Sequence, residues 1–465
     1  MFSFLENQDK RIFNECFQTI SGINNSCLCI VGGHSRNQTN TLKKASDINE
    51  LIEHFFRYES GKMISVLTGI FGTNNLILVE DIVQDTLTEA ISNWTYNGTP
   101  ENPVAWLYTV AKNKTLNAIK REKYQEKFIS ESLYFSKTQQ IFEQDLADFF
   151  SEESISDDQL RMMFMCCHPS ISKDSQIALI LKTLCGFSIS EIAKSFLTNN
   201  ESINKRLVRA RKTIREDEIP FEVPSKKQLD KRVDTVLEAI YLLFNEGYSA
   251  SSGDKLIRIE LCKESIRLAE MLVNHESVTN KTNVHALIAL MQLNASRFKA
   301  REDKNGNIII LSEQDRSVWD YHIMEQGFSN LEKAAHSQHI SKYHILATIS
   351  AYHCSAKDFE STDWNSILVL YDKLLAVDKS PIVILNRAIA LSKVGKAKKA
   401  LRELATIEND RIIKSNYLFY STKAEFQIQT NDYEKAKKTL KRAIELAPLP
   451  NEKQMLEKRL ENYFD

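Results

Sequence analysis

The chain has 465 residues, 43% hydrophobic content and a formal net charge of −1, which exceeds what one compact core organises and argues for roughly two to four domains. Only 13 glycines and 8 prolines, with no long alternating apolar pattern, exclude an all-β protein and predict an all-α chain. No basic start leads into an apolar run and no apolar window reaches about 18 residues, so a cytoplasmic protein without a spanning segment is expected.

The near-zero total hides segregation: cations gather at 112–127 and 203–215, and 143–158 is acidic. Local basic patches in a neutral chain suit a protein that touches DNA in one place and proteins in another. The eight cysteines are scattered, as in reduced thiols and not a disulfide framework. Cys166-Cys167-His168, with Cys185 as a fourth ligand, invites a zinc reading, but lacks paired ligands at short spacing; buried thiols are the alternative, and no metal site is assigned. No nucleophile–base constellation marks an enzyme, and no cofactor motif appears.

In chain order, residues 1–47 show no clear period and form a poorly defined extension. Residues 48–127 carry helical patterns punctuated at Gly72–Asn75 and Asn97–Pro100. In the first of two notable helices, Leu78, Ile82, Leu87 and Ile91 are expected to face inward. Glu80, Asp81, Gln84, Asp85 and Thr88 then form an acidic-polar stripe that either docks a basic partner or is solvated. The second begins at Asn102-Pro103, with proline suited to a first turn. It carries Trp106 and Tyr108, then Lys112, Asn113, Lys114, Asn117, Lys120, Arg121 and Lys123. Aromatic rings beside cations suit melted DNA, where bases stack and the backbone is held; burial of Trp106 and Tyr108 in a core is the alternative.

Residues 128–156 read as an acidic linker, and 157–217 as a helix-turn-helix domain closed by Pro220 and Pro224. Ile189, Ile192, Ala193 and Phe196 give a short helix one apolar face, and Ser188 with Glu191 makes a capping box. Thr198-Asn199-Asn200 offers the next N-cap. Ile203, Leu207, Ala210 and Ile214 line one face of a second helix, whose other faces carry Lys205, Arg206, Arg209, Arg211, Lys212 and Arg215. A helix of this kind enters a major groove; a solvated basic helix is the alternative.

A helical region, 218–380, follows. In 381–465 Ala424, Ala436, Leu440, Ala443 and Pro448 fall at the offsets of a tetratricopeptide (TPR) helix pair. Ala388, Ala400 and Leu404 reproduce the pattern 36 residues earlier, and Ala376 with Pro381 suggests a degenerate repeat before it. Small residues there let paired helices approach closely; generic antiparallel helices are the alternative.

The order of these motifs resembles a bacterial RNA polymerase sigma factor of the sigma-70 family, extracytoplasmic-function (ECF) group. The EDIVQDT helix resembles region 2.2, NPVAWLYTVAKNK regions 2.3 and 2.4, and the helix-turn-helix region 4.2. AIYLLFNEGYSASSGD (239–254), SEQDRSVWD (312–320), DWNSILVLYDKLLAV and SPIVILNRAIAL are similar to the subgroup with a TPR-like C-terminal extension. The resemblance implies two small helical sigma domains joined by a linker, then a helical C-terminal domain.

It further implies that Asp81, Gln84 and Asp85 grip the clamp helices of core RNA polymerase. Trp106, Lys112, Asn113, Lys120 and Arg121 would act at the −10 element, and Asn204, Lys205, Arg206, Arg209 and Lys212 at the −35 element of promoter DNA. The helix around Ile177–Leu184 would present the second domain to the polymerase flap. Two departures stand out: Asn117 replaces an acidic residue common near the end of region 2.4, and Leu197 stands where many sigma factors carry a turn glycine. Residues 226–465 are expected to regulate the sigma domains, by docking on them or by binding a partner protein, with Phe244–Asp254 as an irregular hinge or contact segment. Two other readings stay open: a TPR adaptor that binds proteins, and a conventional helix-turn-helix regulator that binds duplex DNA without polymerase.

Overall fold

A computed structural model of the chain describes residues 43–126 and 151–464, apart from 197, 251–256, 280, 305–308, 338 and 448–449. Most of the N-terminal extension, most of the acidic linker, Leu197, Ser251–Asp254 and Pro448 therefore lie outside the described residues. The described regular structure is helical throughout. It divides into two compact units, one spanning His34–Glu246 with Lys263–Thr279, the other 247–262 with 280–465.

The first unit opens with α1 (Lys43–Phe71), α2 (Leu76–Asn97) and α3 (Pro103–Glu126). The helix α1 starts inside the stretch read as the N-terminal extension. Gly72 and Gly98 follow α1 and α2 with φ of +85° and +83°, a backbone region where a side chain is strained. Val66, Leu67, Val79, Val83, Leu107 and Ala111 are fully buried and form the centre of this bundle. Asn102 Oδ1 accepts the Ala105 N–H at 3.0 Å, so the side chain before Pro103 caps α3.

Next come α4 (Glu152–Cys166), α5 (Lys173–Thr183), α6 (Ile189–Ser195) and α7 (Asn200–Glu216). The acids Glu152 and Glu153, read as linker, occupy the first turn of α4 behind the cap of Ser151, which accepts the Ser154 N–H. Acidic residues there match the positive end of the helix dipole, so part of the acidic run is a helix start. The unit is completed by α8 (Lys226–Tyr248) up to Glu246 and by α9 (Ile259–Asn274) from Lys263 onward. Arg232 of α8 donates to the Phe164 carbonyl at 2.9 Å, and Glu238 pairs with Lys173 at 2.7 Å.

In the second unit α10 (Lys281–Ala295) packs against α11 (Tyr321–Ala335) and α12 (Lys342–Ser355). The end of α8, Phe244–Tyr248, expected to be irregular, is helical, and the second unit begins within it at Gly247. Gly247 is needed there because a Cβ would lie 2.7 Å from Cys262 Sγ. Arg301 donates to the Tyr248 carbonyl and Arg316 to the His353 and Ala356 carbonyls, so each places a cation at a helix C-terminus.

The remaining helices stack in sequence: α13 (Trp364–Val377), α14 (Pro381–Lys393), α15 (Ala397–Ile407), α16 (Tyr417–Gln429), α17 (Tyr433–Leu446) and α18 (Pro450–Phe464). Ala388, Ala400, Leu404, Ala424, Ala436 and Ala443 are all buried, as the close approach of paired helices requires. Ala376 is exposed, so the degenerate third repeat lacks a buried small residue there.

Candidate nucleic-acid interface

The helix α7 buries Ile203, Leu207, Ala210 and Ile214, each at most 2% exposed. A helix held by that one stripe must turn its remaining faces outward, and Asn204, Lys205, Arg209 and Lys212 are exposed. The preceding turn is built by two caps. The Ser188 Oγ accepts the Glu191 N–H at 3.2 Å while the Ser188 N–H donates to Glu191 Oε2 at 2.8 Å; Asn199 Oδ1 accepts the Ser202 N–H at 2.9 Å. Both caps expected from the sequence are present, and each pairs backbone N–H groups left open at a helix start.

The exposed cations are not equally free. Lys205 pairs with Glu201 at 2.6 Å and Lys212 with Glu216 at 3.6 Å, both on the solvated surface, where such pairs are weak and easily exchanged for phosphate. Arg206 is half-buried, paired with Asp174 at 3.2 Å and lying over the Phe196 ring. Its Nη1 is buried without a hydrogen-bond partner. It lines an open cavity of about 580 Å³ together with Ser170, Ser172, Lys173, Ser175, Arg209 and Thr213. Asp174 lines it as well, so the cations there are partly neutralised, Arg206 by Asp174 and Lys173 by Glu238.

On α2, Asp81, Gln84, Asp85 and Thr88 are exposed as a stripe. The inward face differs from the expected one. Ile82 and Leu87 are buried, but Ile91 is 52% exposed, and Val79, Val83 and Ala90 fill the core in its place. Glu80, expected on the stripe, is buried: its Oε2 lies 2.8 Å from Arg211 Nε of α7. Burial pushes the Glu80 carboxyl above the usual carboxylate range, against the pull of Arg211 and then Lys182. Alignment is poor, since Glu80 Oε1 and Arg211 Nε both lack a hydrogen-bond partner.

On α3, Tyr108 is buried at 1% exposure, and Trp106 is half-buried, edge-on to Trp94 at 5.6 Å. Trp94 in turn stacks near Phe55 and Phe56. Asn113 and Arg121 are exposed, whereas Lys112 is buried at 8%. The Lys120 side chain lies outside the described residues. The basic surface of α3 is thus narrower than the sequence suggests, because Lys112 falls on the side that packs with Leu107, Tyr108 and Ala111.

A second ion pair joins the two halves of this unit. Arg57 Nη1 of α1 donates to both carboxylate oxygens of Glu191, at 3.1 and 3.3 Å, so one carboxylate both completes the α6 capping box and holds Arg57. Glu80–Arg211 and Arg57–Glu191 connect residues more than a hundred positions apart, and no local spacing could have announced them. Cys166, Cys167 and Cys185 are buried thiols; desolvation pushes the Cys166 thiol up to about 12, and its Sγ faces Thr183 Oγ1 at 3.7 Å. No cluster of metal-ligating side chains occurs among the described residues, and none of the described helices is long and apolar enough to cross a membrane.

Comparison with known families places sigma-70 region 2 at residues 55–124 and sigma-70 region 4 at 161–214. Residues 232–335 match a family of unknown function, DUF6596. The chain is also 34% identical over 346 residues to the uncharacterized protein R00370 of Rhizobium meliloti (strain 1021), a match that spans 74% of this chain and 80% of that protein. The first unit carries both sigma regions on the elements just described, α1–α3 for region 2 and α4–α7 for region 4, and the chain belongs to the sigma-70 family of sigma factors, in one family with that protein.

Proposed function

We propose that this sigma factor is of the ECF group, binds core RNA polymerase, and reads two promoter elements with separate helices. The observation that carries the reading is α7, whose buried apolar stripe and Asn199 cap leave Asn204, Lys205, Arg209 and Lys212 on an exposed face. Those residues act at the −35 element in the major groove, with Arg206 beside them. Trp106, Asn113, Lys120 and Arg121 act at the −10 element, and Lys112 supports them from within the helix packing. Asp81, Gln84 and Asp85 meet the polymerase clamp helices, and the buried helix α5 presents region 4 to the flap. The chain contributes address and strand opening, while the chemistry of RNA synthesis belongs to the core enzyme. The stacked helices α13–α18 are of TPR type, and the C-terminal region regulates the sigma domains through an intramolecular contact or a partner protein.

Run-off transcription with purified core polymerase on a fragmented genomic library tests this. Discrete transcripts that depend on this chain, and are lost in a variant combining Arg209→Ala and Lys212→Ala, are expected. Tight duplex binding without polymerase would favour a conventional regulator, and no binding to polymerase or DNA an adaptor.

A further inference from the structure

In the first unit regions 2 and 4 are packed face to face. Gly61 of α1 approaches so closely that a Cβ there would sit 2.1 Å from the Leu184 carbonyl oxygen. Gly186, at φ +64°, has Arg57 against it in the same way: a Cβ would meet the Arg57 Cγ at 2.8 Å. The two buried ion pairs, Arg57–Glu191 and Glu80–Arg211, lie across the same contact. A third tie comes from the region of unknown function. Arg267 of α9, set by Glu264 at 2.7 and 2.8 Å, donates to Gln159 Oε1 of α4 at 3.0 Å, and its guanidinium lies 5.4 Å from the Tyr58 ring of α1. One side chain thus touches α1, within region 2, and α4, the helix on which region 4 begins.

A unit of roughly 230 residues has a radius of gyration of about 17 Å, hence a span of about 45 Å. Elements named −10 and −35 are about 25 base pairs apart, which is about 85 Å along B-form DNA. The two reading helices cannot reach both while regions 2 and 4 remain packed together.

We propose that the Lys263–Thr279 segment clasps this packing through Arg267 and so holds regions 2 and 4 in a form from which they cannot engage both promoter elements. The need to part rests on the sigma-factor reading above; the clasp itself does not. The DUF6596 helices α8 and α9 then belong functionally to the sigma unit, as a brace on its closed form.

Gly61→Ala is the discriminating variant. Alanine favours a helix over glycine, so α1 itself is not weakened, while the closed contact meets a backbone oxygen that cannot yield cheaply. Nitroxides at Ser92→Cys and Asp217→Cys, in a full-length chain with Cys16, Cys27 and Cys29 changed to serine, report the separation by pulsed electron paramagnetic resonance. The expected result is one short, narrow distance in the parent. Gly61→Ala should raise the ratio of open to closed forms at least about tenfold, equivalent to about 1.4 kcal/mol. Arg267→Met should shift it in the same direction, and core polymerase should lengthen the parent distance. A long, broad distance in the parent, or an unchanged one in both variants, would overturn the clasp. Transcription from a parent whose distance stays short would overturn the need to part. Failure to bind polymerase with the distance changes intact would instead count against the sigma-factor reading alone.

Discussion

Removing Arg211 alone should cost more stability than removing Arg211 and Glu80 together. The pair is 2.8 Å apart with both side chains largely buried, yet Arg211 Nε and Glu80 Oε1 find no hydrogen-bond partner. Taking two charges out of water is repaid only by good geometry, and this geometry is poor. Arg211→Met leaves the Glu80 carboxylate buried with Lys182 as its nearest compensation, for a loss of about 3 kcal/mol, the low end for a broken buried pair. The double variant Glu80→Met/Arg211→Met removes both desolvation costs and should lie within about 1 kcal/mol of the parent, or above it. The pH dependence has a definite sign. Burial already raises the Glu80 carboxyl in the folded chain, and losing Arg211 raises it further. The folded state then holds the proton more tightly than the unfolded one, so stability falls as pH rises from the unfolded value through the folded one. The penalty of Arg211→Met should therefore be smaller at pH 5 than at pH 8. Asp158, pushed up to about 6 by burial against the pull of Arg161, adds a slope of the same sign to parent and variants alike, so the difference between them is the quantity to compare. Urea unfolding at both pH values measures it. A double variant as unstable as the single, or a penalty that does not change with pH, would refute the reasoning.

Three further outcomes are expected. Ser188→Ala removes one side of the α6 capping box and should lower the stability of region 4 by about 1 kcal/mol, seen as earlier hydrogen exchange in α6 and α7. Changing Lys205, Arg209 and Lys212 to alanine should flatten the salt dependence of promoter binding by about 0.9 in logarithmic slope for each phosphate no longer neutralised, measured by titration at several salt concentrations. Leu404→Ala opens a cavity between fully buried Ala388, Ala400 and Phe419, and should cost the second unit about 2–5 kcal/mol in a thermal melt while leaving polymerase binding by region 2 unchanged.

Local period and capping chemistry make the helix-turn-helix readable. Ile203, Leu207, Ala210 and Ile214 repeat at helical spacing on an otherwise charged segment, and Ser188, Glu191 and Asn199 take the bonds their positions suggest. The apolar pattern of α2 is only partly legible. Of the isoleucines and leucines expected on its inward face, Ile82 and Leu87 are buried, whereas Ile91 stands outside and Val79, Val83 and Ala90 join the core. Glu80 and Arg211 each look like surface charges within their own helix; only the meeting of α2 with α7 makes them a pair. Gly247 reads as a breaker, but the nearness of Cys262 makes it a requirement of packing. What is legible depends on neighbours within one helical turn or one cap, and what is not depends on partners brought together by the fold.

The path of the chain between its two units has a practical consequence. It leaves the sigma unit after Glu246, returns at Lys263 and leaves again after Thr279. A scissor placed just past region 4, near residue 225, would therefore strip away α8 and the greater part of α9 that belongs to this unit, and with them Leu229, Val236, Leu237 and Ile240, all at most 1% exposed. Such a fragment would present raw apolar surface to water, and any loss or gain of transcription it showed would mix missing regulation with a damaged core. No single stop codon separates these units cleanly. An informative trimmed protein would keep the chain through Thr279, with a short bridge replacing the excursion from Gly247 to Cys262.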